Sequence, residues 1–205
     1  MSLLSDIEGF SKSKLKPVPT KVTTVDGRLL QEDKDSHGRT VVTVLDKGKL
    51  GFVGDTKRDL QVAEILPGVV MGSQDVAQDL ELLLQHKVTH ILNLAYMVEN
   101  QFPDQFQYLR LNILDLPETD ITDFFDEAFS FIDRGRQEGC VLVHCNAGVS
   151  RSAAMVIGYL IKTEGLTFEE AFDHVREQRA SIRPNDGFTI QLKHYELSLA
   201  KNLEK

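Results

Sequence analysis

The segment Val141–Ala154, VLVHCNAGVSRSAA, concentrates the side chains best suited to chemistry. Val141–Val143 has the composition of a short buried strand, and an apolar helical run, Ser152–Lys162, begins a few residues later. Cys145 follows the strand, and Arg151 stands six residues on, at the expected helix start. A helix N-terminus presents unpaired N–H groups and the positive end of the helix dipole. A loop curled over it adds inward-facing amides, so Asn146, Ala147, Gly148, Val149 and Ser150 are expected to cradle an anion. Gly148 supplies backbone freedom where a Cβ would obstruct the curl. Arg151 can lay a planar fork of two hydrogen bonds on two oxygens of a bound phosphate.

These surroundings would also activate Cys145. A free thiol is only about 3% ionised at pH 7, whereas a helix N-terminus and a neighbouring arginine favour the thiolate. A thiolate facing a phosphate ester can attack phosphorus in line with the departing oxygen, giving a phosphocysteine. A serine or threonine alkoxide cannot leave unaided near pH 7, so an acid is needed. Asp115, Glu118 and Asp120 all follow the strand-like run Tyr108–Leu114, and composition alone does not choose among them. A single cysteine is usually a core residue. The combination of His144, Cys145, Gly148, Arg151 and Ser152 at a strand-to-helix junction is what argues for a reactive site, while Cys140 reads as a core thiol.

The elements needed to hold this site can be read around it. Val62–Leu66 and Val69–Met71 are short apolar runs separated by Pro67-Gly68. Gln74–Lys87 has helical spacing, His90–Ala95 reads as a buried strand, and Asp123–Arg134 as a helix. Thr167 and Glu170 make a capping box for a helix through Arg179, and a last helix runs from Asp186 to about Ala200. Strands alternating with helices predict an α/β fold: a central, mostly parallel (mixed) sheet of about five strands with helices on both faces. Residues 58–205 are expected to form this domain. Residues 1–57 read as an arm, either partly disordered or a small β extension, in which Val22–Val25 and Leu29–Leu30 flank the hairpin signal Asp26-Gly27, and Thr40–Leu45 and Leu50–Val53 flank Asp46–Lys49.

Composition narrows the function. The 205 residues carry a net charge of −8, with 10 Lys+Arg against 8 Asp+Glu in residues 1–57 (net +2) and a net of −10 in the remainder. An acidic main domain argues against nonspecific binding to nucleic acid or anionic membrane, and against an RNA 5′-phosphatase, which shares the Cys/Arg spacing. Two cysteines, Cys140 and Cys145, make no disulfide framework and suit a reducing compartment. No apolar run approaches the ~20 residues of a membrane span, and Met1–Phe10 lacks the pattern of a secretory leader. The expected location is the cytoplasm or also the nucleus. The histidines show no metal-ligand spacing, so neither metal nor cofactor is expected.

The loop HCNAGVSRS resembles the Cys-x5-Arg signature of the cysteine-dependent protein tyrosine phosphatase superfamily, and Leu60–Leu199 resembles its small, atypical dual-specificity phosphatases. LPGVVMGSQDVA, THILNLA, LDLPET and RPNDGFTIQL occur in the family's order. The resemblance implies a phosphatase fold and carries the general acid onto Asp115. It implies that His144 orients the cysteine, that Ser152 hydrogen-bonds its sulfur, and that Asn185 braces the phosphate loop, although Asn185 also reads as a helix N-cap. The phosphate loop lacks the lysines of phosphoinositide-directed relatives, and nothing matches the pocket-deepening loop of tyrosine-specific enzymes. Phosphoprotein substrates carrying phosphotyrosine or phosphoserine/phosphothreonine are therefore implied. Candidate partners are mitogen-activated protein kinases or their upstream kinases, in stress-activated signalling. Lys14–Val18 faintly resembles a kinase docking peptide but reads more readily as an ordinary solvated stretch. A different class, a phosphoprotein- or kinase-binding scaffold with little turnover, is the alternative.

Overall fold

The structure, a computed structural model, describes residues 20–23, 29–34, 40–46 and 58–203. The chain divides into two compact units, residues 1–55 and 56–205. In the first, β1 (Thr20–Thr23), β2 (Leu29–Lys34) and β3 (Thr40–Asp46) form an antiparallel sheet in that order. β1 and β2 pair on either side of Asp26-Gly27, as the hairpin signal predicts, with Thr23 opposite Leu29. β3 pairs with β2; Leu50–Val53, its expected partner, lies outside the described residues, as does Lys14–Val18.

The second unit contains β4 (Ala63–Leu66), β5 (Val69–Gly72), α1 (Gln74–Ala77), α2 (Leu80–Gln85), β6 (Val88–Asn93) and β7 (Gln107–Arg110). It continues through α3 (Phe125–Glu138), β8 (Cys140–His144), α4 (Arg151–Thr163), α5 (Phe168–Gln178) and α6 (Asp186–Leu203). Its five-stranded sheet has the order β4-β5-β8-β6-β7. Only β4 joins antiparallel, through the tight Pro67-Gly68 turn; the other pairings are parallel. This is the mixed α/β fold that the alternation predicts.

β8 is central and buried along its whole length. Its side chains alternate as a pleat requires: Val141 and Val143 enter a core with α3, α4, α5 and α6, while Cys140 and Leu142 enter a second core with Val76, Leu83 and Phe106. α4 lies within the first core, with every residue from Arg151 to Ile161 buried, which accounts for its apolar sequence. The register sets Gly72 and Asn93 beside His144, and Arg110 beside Asn93. The C-terminal ends of all four parallel strands thus meet at one edge, where open α/β sheets place their ligands.

Two elements differ from the sequence reading. Gln74–Lys87 is two short helices, because the Asp79 carboxylate accepts from Leu82 N (3.1 Å) and starts a new one. β7 stops at Arg110 instead of Leu114: Leu111 and Ile113 still turn inward and are buried, but the chain leaves the ladder to form the loop carrying Asp115.

Candidate active site

The loop from Cys145 to Ser150 joins β8 to α4, and the carbonyls of residues 145–149 are each held by a donor from outside it. His144 Nδ1–H donates to the Cys145 carbonyl (3.3 Å), and Gln74 N to that of Asn146 (3.0 Å). Arg179 Nη2 donates to Ala147 O (3.0 Å), Arg179 Nε to Gly148 O (2.8 Å), and Arg183 N to Val149 O (2.8 Å). Among the described residues, the amides of residues 146–150 donate to no protein acceptor, so the curl leaves them as an anion nest at the N-terminus of α4. Gly148 is required twice over. Its φ is +66°, and a Cβ there would lie 2.6 Å from Gly72 O.

Arg151 occupies the first turn of α4, almost wholly buried. Nη1 donates to Leu94 O (3.3 Å) and Ile113 O (3.2 Å), the chain ends leaving β6 and β7, and Nη2 donates to Asn146 Oδ1 (2.7 Å). These bonds fix the guanidinium plane. Nε is buried and has no hydrogen-bond partner among the described residues; the nearest carboxylate oxygen, Asp115 Oδ2, is 3.6 Å away. A buried donor left unmade in this way is costly, and an oxyanion on the Nε–Nη2 edge would satisfy it.

Cys145 is 1% exposed, and its Sγ lies 3.3 Å from Ser152 Oγ, itself fully buried. When the sulfur is a thiolate, the Ser152 hydroxyl can only donate to it. Burial, helped by the Arg151 charge, pushes His144 down to about 4, so the imidazole is neutral, with Nδ1–H committed to the Cys145 carbonyl.

Asp115 is the acidic residue that the fold delivers to this cradle. Its Oδ1 accepts from Ser150 Oγ (2.6 Å) and Asn185 Nδ2 (2.9 Å), and its Oδ2 faces Arg151. Asp120 turns away to accept from Thr122 N and Oγ1. Glu118 has no bond to the cradle among the described residues. The Asn185 side chain caps α6, its Oδ1 accepting from Phe188 N, while its Nδ2 donates to Asp115 on the neighbouring loop and not to the phosphate loop. Its backbone N–H also donates to Ser150 Oγ (3.1 Å), linking cap, acid and loop.

Sequence reasoning missed Arg179, which is fully buried and grips the loop from behind. Its guanidinium is held by the Asp59 carboxylate and by Gln61 O (3.1 Å). The available signal was an arginine ending a capped helix six residues before Asn185, a type normally solvated. Cys140 is a core thiol that burial pushes up to about 11, and both cysteines are free. Among the described residues, no group of three or more His, Cys, Asp or Glu could hold a metal ion, and no helix is long and apolar enough to cross a membrane.

Comparison with known proteins agrees with this geometry. Residues 69–198 match the family model "Dual specificity phosphatase, catalytic domain". The chain is 48% identical over 204 residues to mouse dual specificity protein phosphatase 19, covering 98% of this chain and 93% of that protein. It is 40% identical over 142 residues to Arabidopsis thaliana dual specificity protein phosphatase 1B, covering 69% and 85%. Among solved structures, it is similar to the human tyrosine phosphatase-like serine/threonine/tyrosine-interacting protein, with a TM-score of 0.65 and 40% identity over 68% of this chain and 97% of that one. The chain belongs to the dual-specificity phosphatases of the protein tyrosine phosphatase superfamily and is a phosphatase enzyme.

Proposed function

We propose that residues 58–205 hydrolyse phosphotyrosine and phosphoserine/phosphothreonine on proteins through a phosphocysteine at Cys145. The observation that carries this reading is the cradle itself: a sulfur in a loop whose carbonyls are held from outside, 3.3 Å from a serine hydroxyl and at the foot of α4. The phosphoryl oxygens would take the amides of Asn146 to Ser150 and the Nε–Nη2 edge of Arg151. The Cys145 thiolate attacks phosphorus as the ester P–O bond breaks, and Asp115 gives its proton to the leaving oxygen. Water then attacks the phosphocysteine and passes a proton to Asp115. The S–P bond breaks, inorganic phosphate leaves, and Ser152 donates to the thiolate regained.

Protein kinases of the mitogen-activated and stress-activated cascades are the proposed substrates, acted on in the cytoplasm or nucleus. A Dictyostelium discoideum relative, 42% identical over 137 residues but matched over only 16% of its own length, is named as a MAP kinase phosphatase. The alternative, a scaffold that holds phosphoproteins without turnover, draws on the human phosphatase-like interacting protein. Hydrolysis of p-nitrophenyl phosphate separates the two. Cys145→Ser should abolish it while keeping phosphate-analogue binding, since a serine hydroxyl is scarcely ionised near pH 7. More than about 1% residual turnover in that variant would remove the phosphocysteine step. Trapping with Cys145→Ser or Asp115→Ala would then identify the phosphoproteins retained.

A further inference from the structure

The loop carrying Asp115 is fastened along its length to one face of α6, by residues that do not reach the reacting atoms. Gln191, partly buried one turn into α6, uses its side-chain amide as a strand backbone would. Nε2 donates to Thr119 O (2.9 Å), and Oε1 accepts from Ile121 N (2.8 Å). Ile121, fully buried, anchors the loop's far end in the core. Nearer the acid, the Pro117 backbone lies directly over Gly187: a Cβ built there would stand 1.9 Å from Pro117 O and 2.6 Å from Pro117 C. No side chain fits beneath the loop in this position. Glycine is a poor helix former, so its presence near the start of α6 trades helix propensity for this approach.

We infer that Gly187 and Gln191 are positioning residues that dock the acid loop on α6 and so set the fraction of molecules with Asp115 over the scissile oxygen. This rests on Asp115 being the general acid. Asn185 stands at the acid end of this row of contacts, capping α6 and holding the Asp115 carboxylate, so the docked loop and the helix start form one unit. Loosening the dock lowers the population of the competent arrangement without touching the cradle, the nucleophile or Arg151. Its kinetic mark is therefore selective: the loss appears where the leaving group must be protonated and disappears where it need not be.

The test compares kcat/KM, which reports formation of the phosphocysteine, for phenyl phosphate and for p-nitrophenyl phosphate, whose phenol is the more acidic. Gln191→Ala removes two hydrogen bonds and should cost about tenfold on phenyl phosphate and under about twofold on the nitrophenyl ester. Gly187→Ala, whose methyl cannot fit against the Pro117 backbone, should displace the loop and show the same selectivity. Asp115→Asn is the reference arm, and neither dock substitution should lower activity further in that background. Equal losses on the two esters in Asp115→Asn would remove the assignment of the acid and, with it, this inference. Selective loss in Asp115→Asn with unselective, absent or fully additive loss in both dock variants would overturn the docking role alone.

Discussion

Arg179→Met tests whether the phosphate loop is held in shape from behind. Methionine keeps much of the buried volume and removes every donor. The Gly148 carbonyl loses its bond inside the protein, and Ala147 O loses its bond in a partly buried place. A buried acceptor stripped of its partner costs roughly 1–3 kcal/mol. Gln61 is exposed, so water can replace that contact, and the Asp59 side chain is 43% exposed and can resolvate, contributing under about 1 kcal/mol. The sum is about 3 kcal/mol, carried chiefly by the two loop carbonyls. Urea unfolding at pH 7 measures it directly. Competitive inhibition by inorganic phosphate reads the loosening at the cradle separately and should weaken by about tenfold, one hydrogen bond's worth. Asp59→Asn should cost far less than Arg179→Met in both assays. A shift below about 1 kcal/mol with unchanged phosphate inhibition would refute the bracing role. If Asp59→Asn cost as much as Arg179→Met, the ion pair, not the carbonyl ties, would carry the energy.

Ser152→Ala should slow phosphocysteine hydrolysis more than its formation, so pre-steady-state kinetics should show a burst of nitrophenol; no burst with an unchanged steady-state rate would leave Ser152 structural. His144 is held neutral by burial, with its native value near 4 against about 6.5 when unfolded, so the unfolded chain takes up the proton first. Its contribution is steady above pH 6.5 and falls by about 3 kcal/mol as pH drops to 4, a loss that His144→Asn should remove from the urea-derived stability profile. Mild peroxide treatment should give no Cys140–Cys145 disulfide in folded enzyme. β8 is extended between them, putting their Cα atoms about 16 Å apart where a disulfide needs about 4.4–6.8 Å. Peptide mapping that found the linked pair in native protein would contradict this register.

The cradle was legible because its chemistry is contiguous: strand, turn and helix start fall within some ten residues, and each residue type has one obvious use there. Asp115 needed the family's order of segments, since Glu118 and Asp120 are chemically equivalent until the loop's path turns one carboxylate to Ser150 and Arg151. Arg179, Asp59, Gln61 and Gln191 gave no comparable sign. They are surface-type residues 30 to 120 positions from what they hold, and only the closed topology buries or pairs them. The break between α1 and α2 was readable as Asp79 before LELL, but helical spacing across Gln74–Lys87 masked it. The strand at Leu29–Lys34 was read too short because LLQEDK becomes polar after two residues.

The ties behind the phosphate loop also bear on where the working enzyme begins. The family match opens at residue 69, yet Arg179 is held by Asp59 and Gln61, and Ser73 Oγ donates to Asp59 O (2.8 Å). A fragment cut at the family boundary would keep every residue proposed to touch phosphate and lose the strap behind them. It would also lack β4, with the buried Ala63 and Ile65, and should bind phosphate poorly. Asp59 and Gln61 thus stand to the phosphate loop as a keel stands to a hull.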